Sequence, residues 1–141
     1  MKMEFSVRGM DFTRAGEAAA KIKNALQMVG MEVATVRKAV IVAYEAELNI
    51  VIHARQGTLT LSVSPDRVEI TAEDEGPGIP DIALAMQEGY STAPPHIREM
   101  GFGAGMGLPN IKRCSDQMNI ESEVNSGTRL RATIFNKING E

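Results

Sequence analysis

Three short runs in this chain carry residues suited to chemistry. The first is Glu45-Ala-Glu-Leu-Asn49, set in a stretch whose apolar residues recur at helical spacing. Glu45 and Asn49 are i and i+4, so their side chains share one helix face. A carboxylate there can polarise a water or a hydroxyl, and an amide oxygen is a suitable hard ligand for magnesium. The same spacing equally describes a polar stripe on an amphipathic helix. Glu47 lies two positions from Asn49 and so faces another side.

The second run, Asp74-Glu-Gly-Pro-Gly-Ile79, follows directly on a predicted strand. A carboxylate at a strand end can accept a hydrogen bond from an exocyclic amine such as that of adenine. Gly76 and Gly78 would let the backbone approach the base closely. An ordinary Gly-Pro turn has the same composition. The third run, Gly101-Phe-Gly-Ala-Gly-Met-Gly-Leu108, places glycine at 101, 103, 105 and 107 and leads into a helical pattern. Backbone N–H groups of such a loop, with a helix N-terminus behind them, suit phosphate. The run lacks the third glycine of the dinucleotide pattern, and no Gly-Lys-Ser/Thr follows as in a P-loop. A flexible glycine hinge is the other reading.

The elements that must hold these runs can be read from periodicity. A strand is expected over Met3–Arg8 and a helix over Arg14–Val29, capped by Asp11 or Thr13 and stopped by Gly30. A second helix is expected over Thr35–Ala54, with Val36, Val40, Ala43, Tyr44, Leu48, Val51 and Ile52 on its apolar face. Thr58–Ser64 and Arg67–Ala72 alternate strictly, and Ser64-Pro65-Asp66 between them is turn chemistry, so they predict a hairpin. A short helix fits Ile82–Glu88, a long loop Gly89–Gly107, and a helix Leu108–Gln117. The strands Met118–Val124 and Thr128–Phe135 follow, joined by Asn125-Ser126-Gly127. This order predicts an α+β fold, a two-layer α/β sandwich whose mixed, mostly antiparallel sheet is covered on one face by helices.

At 141 residues the chain fits one domain over 1–141. Its net charge of −3 does not favour a broad face for direct nucleic-acid binding, although fifteen Lys and Arg leave room for a local basic patch, and two Tyr, four Phe and no Trp argue against a stacking platform for single strands. Cys114 is the one cysteine, which rules out an intrachain disulfide and a multi-cysteine zinc site and suits a reducing, cytoplasmic setting. His53 and His96 lack companions at metal-ligand spacing. No apolar run reaches membrane-spanning length, and the opening residues read as a strand rather than a signal segment.

Taken together, the acid–amide helix, Asp-x-Gly-x-Gly, a loop, a repeated-glycine helix start and a late Gly-Thr follow the order of the GHKL ATPase superfamily. The chain resembles that family over nearly its whole length. The resemblance implies ATP and Mg2+, with Asn49 as metal ligand and Glu45 as the catalytic carboxylate. It implies Asp74 as adenine reader with Gly76 and Gly78 behind it, and Gly101, Gly103, Gly105 and Gly107 as the phosphate cradle. Thr128 of Asn125-Ser-Gly-Thr128 would support the adenine site, and residues 89–107 would form a lid carrying Arg98. Size argues against a transducer domain, and the opening strand against an upstream phospho-accepting helix pair. What remains resembles the small bacterial serine kinases, both anti-sigma factors and the switch kinase of stress signalling. These phosphorylate Ser or Thr on STAS-domain partners. Three functions follow as expectations: a protein-serine/threonine kinase, a nucleotide-gated anti-sigma factor that sequesters a sigma subunit, or an ATP-binding domain without transfer. The anti-sigma branch is typically dimeric, which leaves a homodimer open.

Overall fold

A computed structural model describes residues 1–88 and 107–137. Gly101, Gly103, Gly105, Arg98, His96 and all of the expected lid except Gly107 lie outside the described residues. The elements run β1 (Lys2–Arg8), α1 (Glu17–Met28), α2 (Val33–His53), β2 (Gln56–Ser64), β3 (Arg67–Glu75), α3 (Ile82–Ala85), α4 (Gly107–Cys114), β4 (Gln117–Glu123) and β5 (Gly127–Phe135). The five strands form one sheet in the order β1-β2-β3-β5-β4. Every pairing among them is antiparallel.

The register explains why one face of the sheet is dry. Leu59 lies opposite Ala72, which lies opposite Leu130; Leu61 lies opposite Ile70, which lies opposite Ala132. All six are buried. Side chains alternate along a strand, so a slip of one residue would turn this whole set to solvent. The other face carries Lys2, Glu4, Ser6 and Arg8 on β1 and the Arg129–Glu73 ion pair at 3.4 Å. An antiparallel sheet tolerates this one-sided wetting.

Helix α2 is the spine of the helical layer. Its 21 residues make a rod about 31 Å long that packs on β1, β2, β3 and β5, on α1 and on α4. Val36, Ala39, Val42, Ala43, Ala46 and Ile50 recur every three to four residues and are buried. Removing Ile50 from water contributes roughly 2 kcal/mol. Tyr44, expected on this apolar face, is part-exposed and lies against Gly16 instead.

Boundaries shift where long-range contacts decide them. Helix α1 starts at Glu17, not Arg14, and neither Asp11 nor Thr13 caps it. Its N-cap is Gly16, in the left-handed region with φ 94°. Its end follows the sequence: Gly30, at φ 79°, donates to the Gln27 carbonyl and Met31 to the Leu26 carbonyl, the paired bonds of a Schellman stop. Strand β3 runs on to Glu75, so Asp74 sits within the strand rather than beyond it. Helices α3 and α4 end earlier than periodicity suggests, at Ala85 and Cys114.

Candidate nucleotide site

Two groups of the expected residues come together around α2. The first lies between α2 and α4. Gly107 opens α4 directly beside Asn49, and a Cβ at Gly107 would lie 3.1 Å from Asn49 Oδ1. Any side chain there would press on that amide. Three residues on, Asn110 Nδ2 donates to Glu45 Oε2 at 3.2 Å. Glu45 and Asn49, both half-buried, thus face the N-terminal half of α4. They lie about 6 Å apart along the helix axis. Helix α4 is held there by buried Pro109 and fully buried Ile111.

The second group lies past the C-terminal end of α2. Asp74, near the end of β3, accepts a hydrogen bond on Oδ1 from the Thr128 backbone N–H at 3.2 Å. Among the described residues, no donor reaches Asp74 Oδ2 and no cation pairs with it. Burial pushes the Asp74 carboxyl above the usual carboxylate range, and the Thr128 N–H pulls back more weakly. A half-buried carboxylate with one oxygen anchored and one open is what an amine-bearing ring would complete. Asn49 offers an amide oxygen that makes no hydrogen bond among the described residues. This donor set fits a purine nucleotide with a hard cation.

The glycines of the second run serve the chain's own packing. A Cβ on Gly76 would lie 3.1 Å from Asp74 Oδ1 and 3.2 Å from the Cα of Ala54, at the end of α2. Gly78 has φ 75°, and a Cβ there would strike the Glu123 carbonyl. Gly127, at φ 136°, brings the β4–β5 turn onto the Asp74 carbonyl. Ser122 ties the same parts together. Its Oγ accepts from the Ile79 N–H at 2.7 Å and lies 2.9 Å from Thr128 Oγ1. Thr128, expected to support the adenine site, meets Asp74 through its backbone N–H, with its hydroxyl turned to Ser122.

Three participants escape a reading by motif. Asn110 and Ser122 matter only because the fold brings them 65 and 6 residues across the chain to Glu45 and Thr128. Glu47 is the third. It is 3% exposed, and its two carboxylate oxygens accept the Ala18 and Ala19 N–H groups at 3.2 and 3.1 Å. These are first-turn amides of α1 from which no side chain at the N-cap, Gly16, could accept. Spacing correctly turns Glu47 away from Asn49, but its partner could not be read from neighbouring residues. Among the described residues no cluster of His, Cys, Asp and Glu could hold a metal on its own, and His53 is exposed. No described helix is long and apolar enough to cross a membrane.

The family model described as histidine kinase-, DNA gyrase B- and HSP90-like ATPase matches residues 34–138. The chain belongs to this ATPase family. That stretch includes Glu45, Asn49, Asp74, the glycine run and Thr128. The chain is 37% identical over 92 residues to the serine/threonine-protein kinase RsbT of Bacillus subtilis, covering 62% of this chain and 63% of that kinase. It is 32% identical over 136 residues to the anti-sigma F factor of Geobacillus stearothermophilus, covering 92% of this chain and 88% of that factor. Among solved structures, a chain of the SiaB–SiaC complex from Pseudomonas aeruginosa superposes with a TM-score of 0.67 at 16% identity, covering 94% of this chain and 88% of that one. That likeness is one of fold. Membership of an ATPase family implies the use of ATP.

Proposed function

We propose that this protein is an ATP-dependent serine/threonine protein kinase of a bacterial partner-switching pathway, acting in the cytoplasm on a STAS-domain regulatory protein. The observation that carries the reading is the order of groups along α2. Asp74 and Gly76 lie past its C-terminal end, Asn49 about a turn and a half back from Ala54, and Glu45 a turn further. The order base-reader, metal ligand, carboxylate is that of an extended nucleotide with its terminal phosphate toward a hydroxyl.

In this reading Mg-ATP supplies the phosphoryl group and the cation that offsets its charge. Asp74 Oδ2 accepts an N–H of the adenine amine while Thr128 holds Oδ1. Asn49 Oδ1 is the metal ligand. Gly107, with Gly101, Gly103 and Gly105 before it, cradles phosphate with backbone N–H groups. Glu45 orients the partner's Ser or Thr hydroxyl and accepts its proton as that oxygen bonds to phosphorus and ADP leaves. The likeness to a serine/threonine-protein kinase of Bacillus subtilis supports this assignment.

The test is transfer of labelled γ-phosphate from Mg-ATP to STAS-domain proteins of the same organism, with Glu45→Ala as control. Label on a partner Ser or Thr, lost in the variant, is expected. Verified ATP binding with no label on any candidate would overturn the kinase reading.

A second reading is an anti-sigma factor that sequesters a sigma subunit in a nucleotide-dependent way. It is favoured by 32% identity over 88% of an anti-sigma F factor, and it brings a homodimer with it. A sigma subunit retained with ATP and released with ADP would support it.

A further inference from the structure

We propose that Asn110 is a positioning residue that sets the Glu45 carboxylate for proton acceptance. The inference rests on the reading of Glu45 as the catalytic carboxylate. A glutamate carboxylate sits on three rotatable bonds, and a half-exposed one samples several orientations. Asn110 Nδ2 fixes Oε2 at 3.2 Å, which leaves Oε1 without a partner among the described residues.

The donor itself is held in place. Gly107 and Asn110 are i and i+3 on α4, so the face of that helix which meets Asn49 also meets Glu45. Pro109 and Ile111 beside Asn110 are buried, which locks the short helix against α2. Spacing along two packed helices thus brings amide to carboxylate and glycine to amide, in step.

The type of donor also matters. An amide is neutral, so it orients the carboxylate without the strong attraction of an ion pair, which would hold the proton-accepting electrons in place. Besides Glu45, the charged and titratable groups of the two facing helices are Arg37, Lys38, Tyr44, Glu47 and His53 on α2 and Lys112, Arg113 and Cys114 on α4. None of them forms an ion pair with Glu45, and Arg113 is paired with Glu88. Cys114 is pushed up by burial and stays a thiol at neutral pH. Asn110 is accordingly the only described side chain that holds Glu45 by a hydrogen bond or ion pair.

Two variants test this in the transfer assay with the full chain. Asn110→Ala is expected to lower kcat roughly 10- to 100-fold, as a misplaced catalytic group does, with the Kd for ATP unchanged. Asn110→Asp places a second carboxylate against Glu45, so the pair cannot lose both protons easily. The acid limb of its kcat profile is expected to move up by about one pH unit or more. A purely structural role would change unfolding temperature and leave that limb where it is. Should Glu45→Ala transfer at the wild-type rate, the reading of Glu45 itself fails. Should Glu45→Ala be inactive while both Asn110 variants keep wild-type kcat and acid limb, the reading stands and the Asn110 inference falls. A readout independent of transfer is the carboxyl 13C titration of Glu45, assigned with Glu45→Gln. Asn110→Asp is expected to shift that curve upward, and coincident curves would overturn the contact.

Discussion

Glu45 and Glu47 stand two residues apart on α2 and serve different partners: Glu45 meets Asn110 on α4, and Glu47 meets the first turn of α1. One carboxylate is half-open against α4, the other sealed under a helix start. Their substitutions should therefore separate. Glu47→Ala leaves two buried amides without an acceptor and is expected to reduce unfolding free energy by about 3 kcal/mol in urea titration. Glu45→Ala is expected to change it by less than about 0.5 kcal/mol while abolishing transfer. Equal losses of stability would contradict this division.

Asp74 carries a prediction in pH. Burial raises its folded-state pKa, so folding favours the protonated carboxyl. The stabilisation this gives is full below the unfolded-chain value and is lost as pH rises through the raised folded value. At neutral pH the ionised group therefore weakens the ligand-free fold. Asp74→Asn keeps an Oδ1 for the Thr128 N–H, so its ligand-free Tm at pH 7 should equal or exceed that of wild type. The gap should close toward about pH 4. The same variant should bind ATP at least about tenfold more weakly in calorimetry, since an N–H replaces the acceptor for the adenine amine. Wild-type affinity should fall on acidification at a higher pH than an ordinary aspartate would give. A variant with lower Tm and intact ATP binding would remove Asp74 from the site.

Two glycines with nearly equal φ should respond unequally. Gly30 and Gly78 sit at 79° and 75°, but a Cβ on Gly30 meets nothing within 4 Å. Gly30→Ala should lose about 1 kcal/mol, the penalty of the left-handed backbone alone. Gly78→Ala adds a collision with the Glu123 carbonyl and should lose at least about 3 kcal/mol, with ATP affinity reduced as the loop is forced off the β4–β5 turn. Matching losses in thermal unfolding would show that the loop yields freely.

Ser122→Ala removes the acceptor of the Ile79 N–H and the neighbour of the Thr128 hydroxyl. About 1 kcal/mol of stability should go with it, together with some ATP affinity. Ser64→Ala, which breaks the 2.8 Å bond to Asp66 in the β2–β3 turn, is the control and should leave ATP affinity unchanged. Isothermal titration of both separates a role in the site from the loss of any one hydroxyl.

What could be read in advance follows from the range of the forces involved. Strict alternation over Leu59, Leu61, Val68 and Ile70 placed the central strands, because burial on one sheet face imposes a period of two. The i, i+4 spacing of Glu45 and Asn49 placed both on one face of α2, and Gly30 ended α1 through a bond pattern that spans only a few residues. The start of α1 could not be read the same way, since its first-turn amides are satisfied by Glu47, 28 and 29 residues away. Likewise Gly76 and Gly78 were identified by type, but the surfaces they fit against belong to α2 and β4. Asn110 has no motif; helix packing alone brings it to Glu45.

The Thr128–Asp74 bond joins positions 54 residues apart, and the Ile79–Ser122 bond closes a span of 43. A chain emerging from the ribosome N-terminus first thus presents Asp74 long before the segment that anchors it. Until β5 is released, the carboxylate lacks its Thr128 donor and the glycine loop lacks the turn it rests on. In the proposed reading, a chain stalled short of β5 has made Asn49 and the glycine run but presents Asp74 without its Thr128 donor, so nucleotide capture waits for that strand.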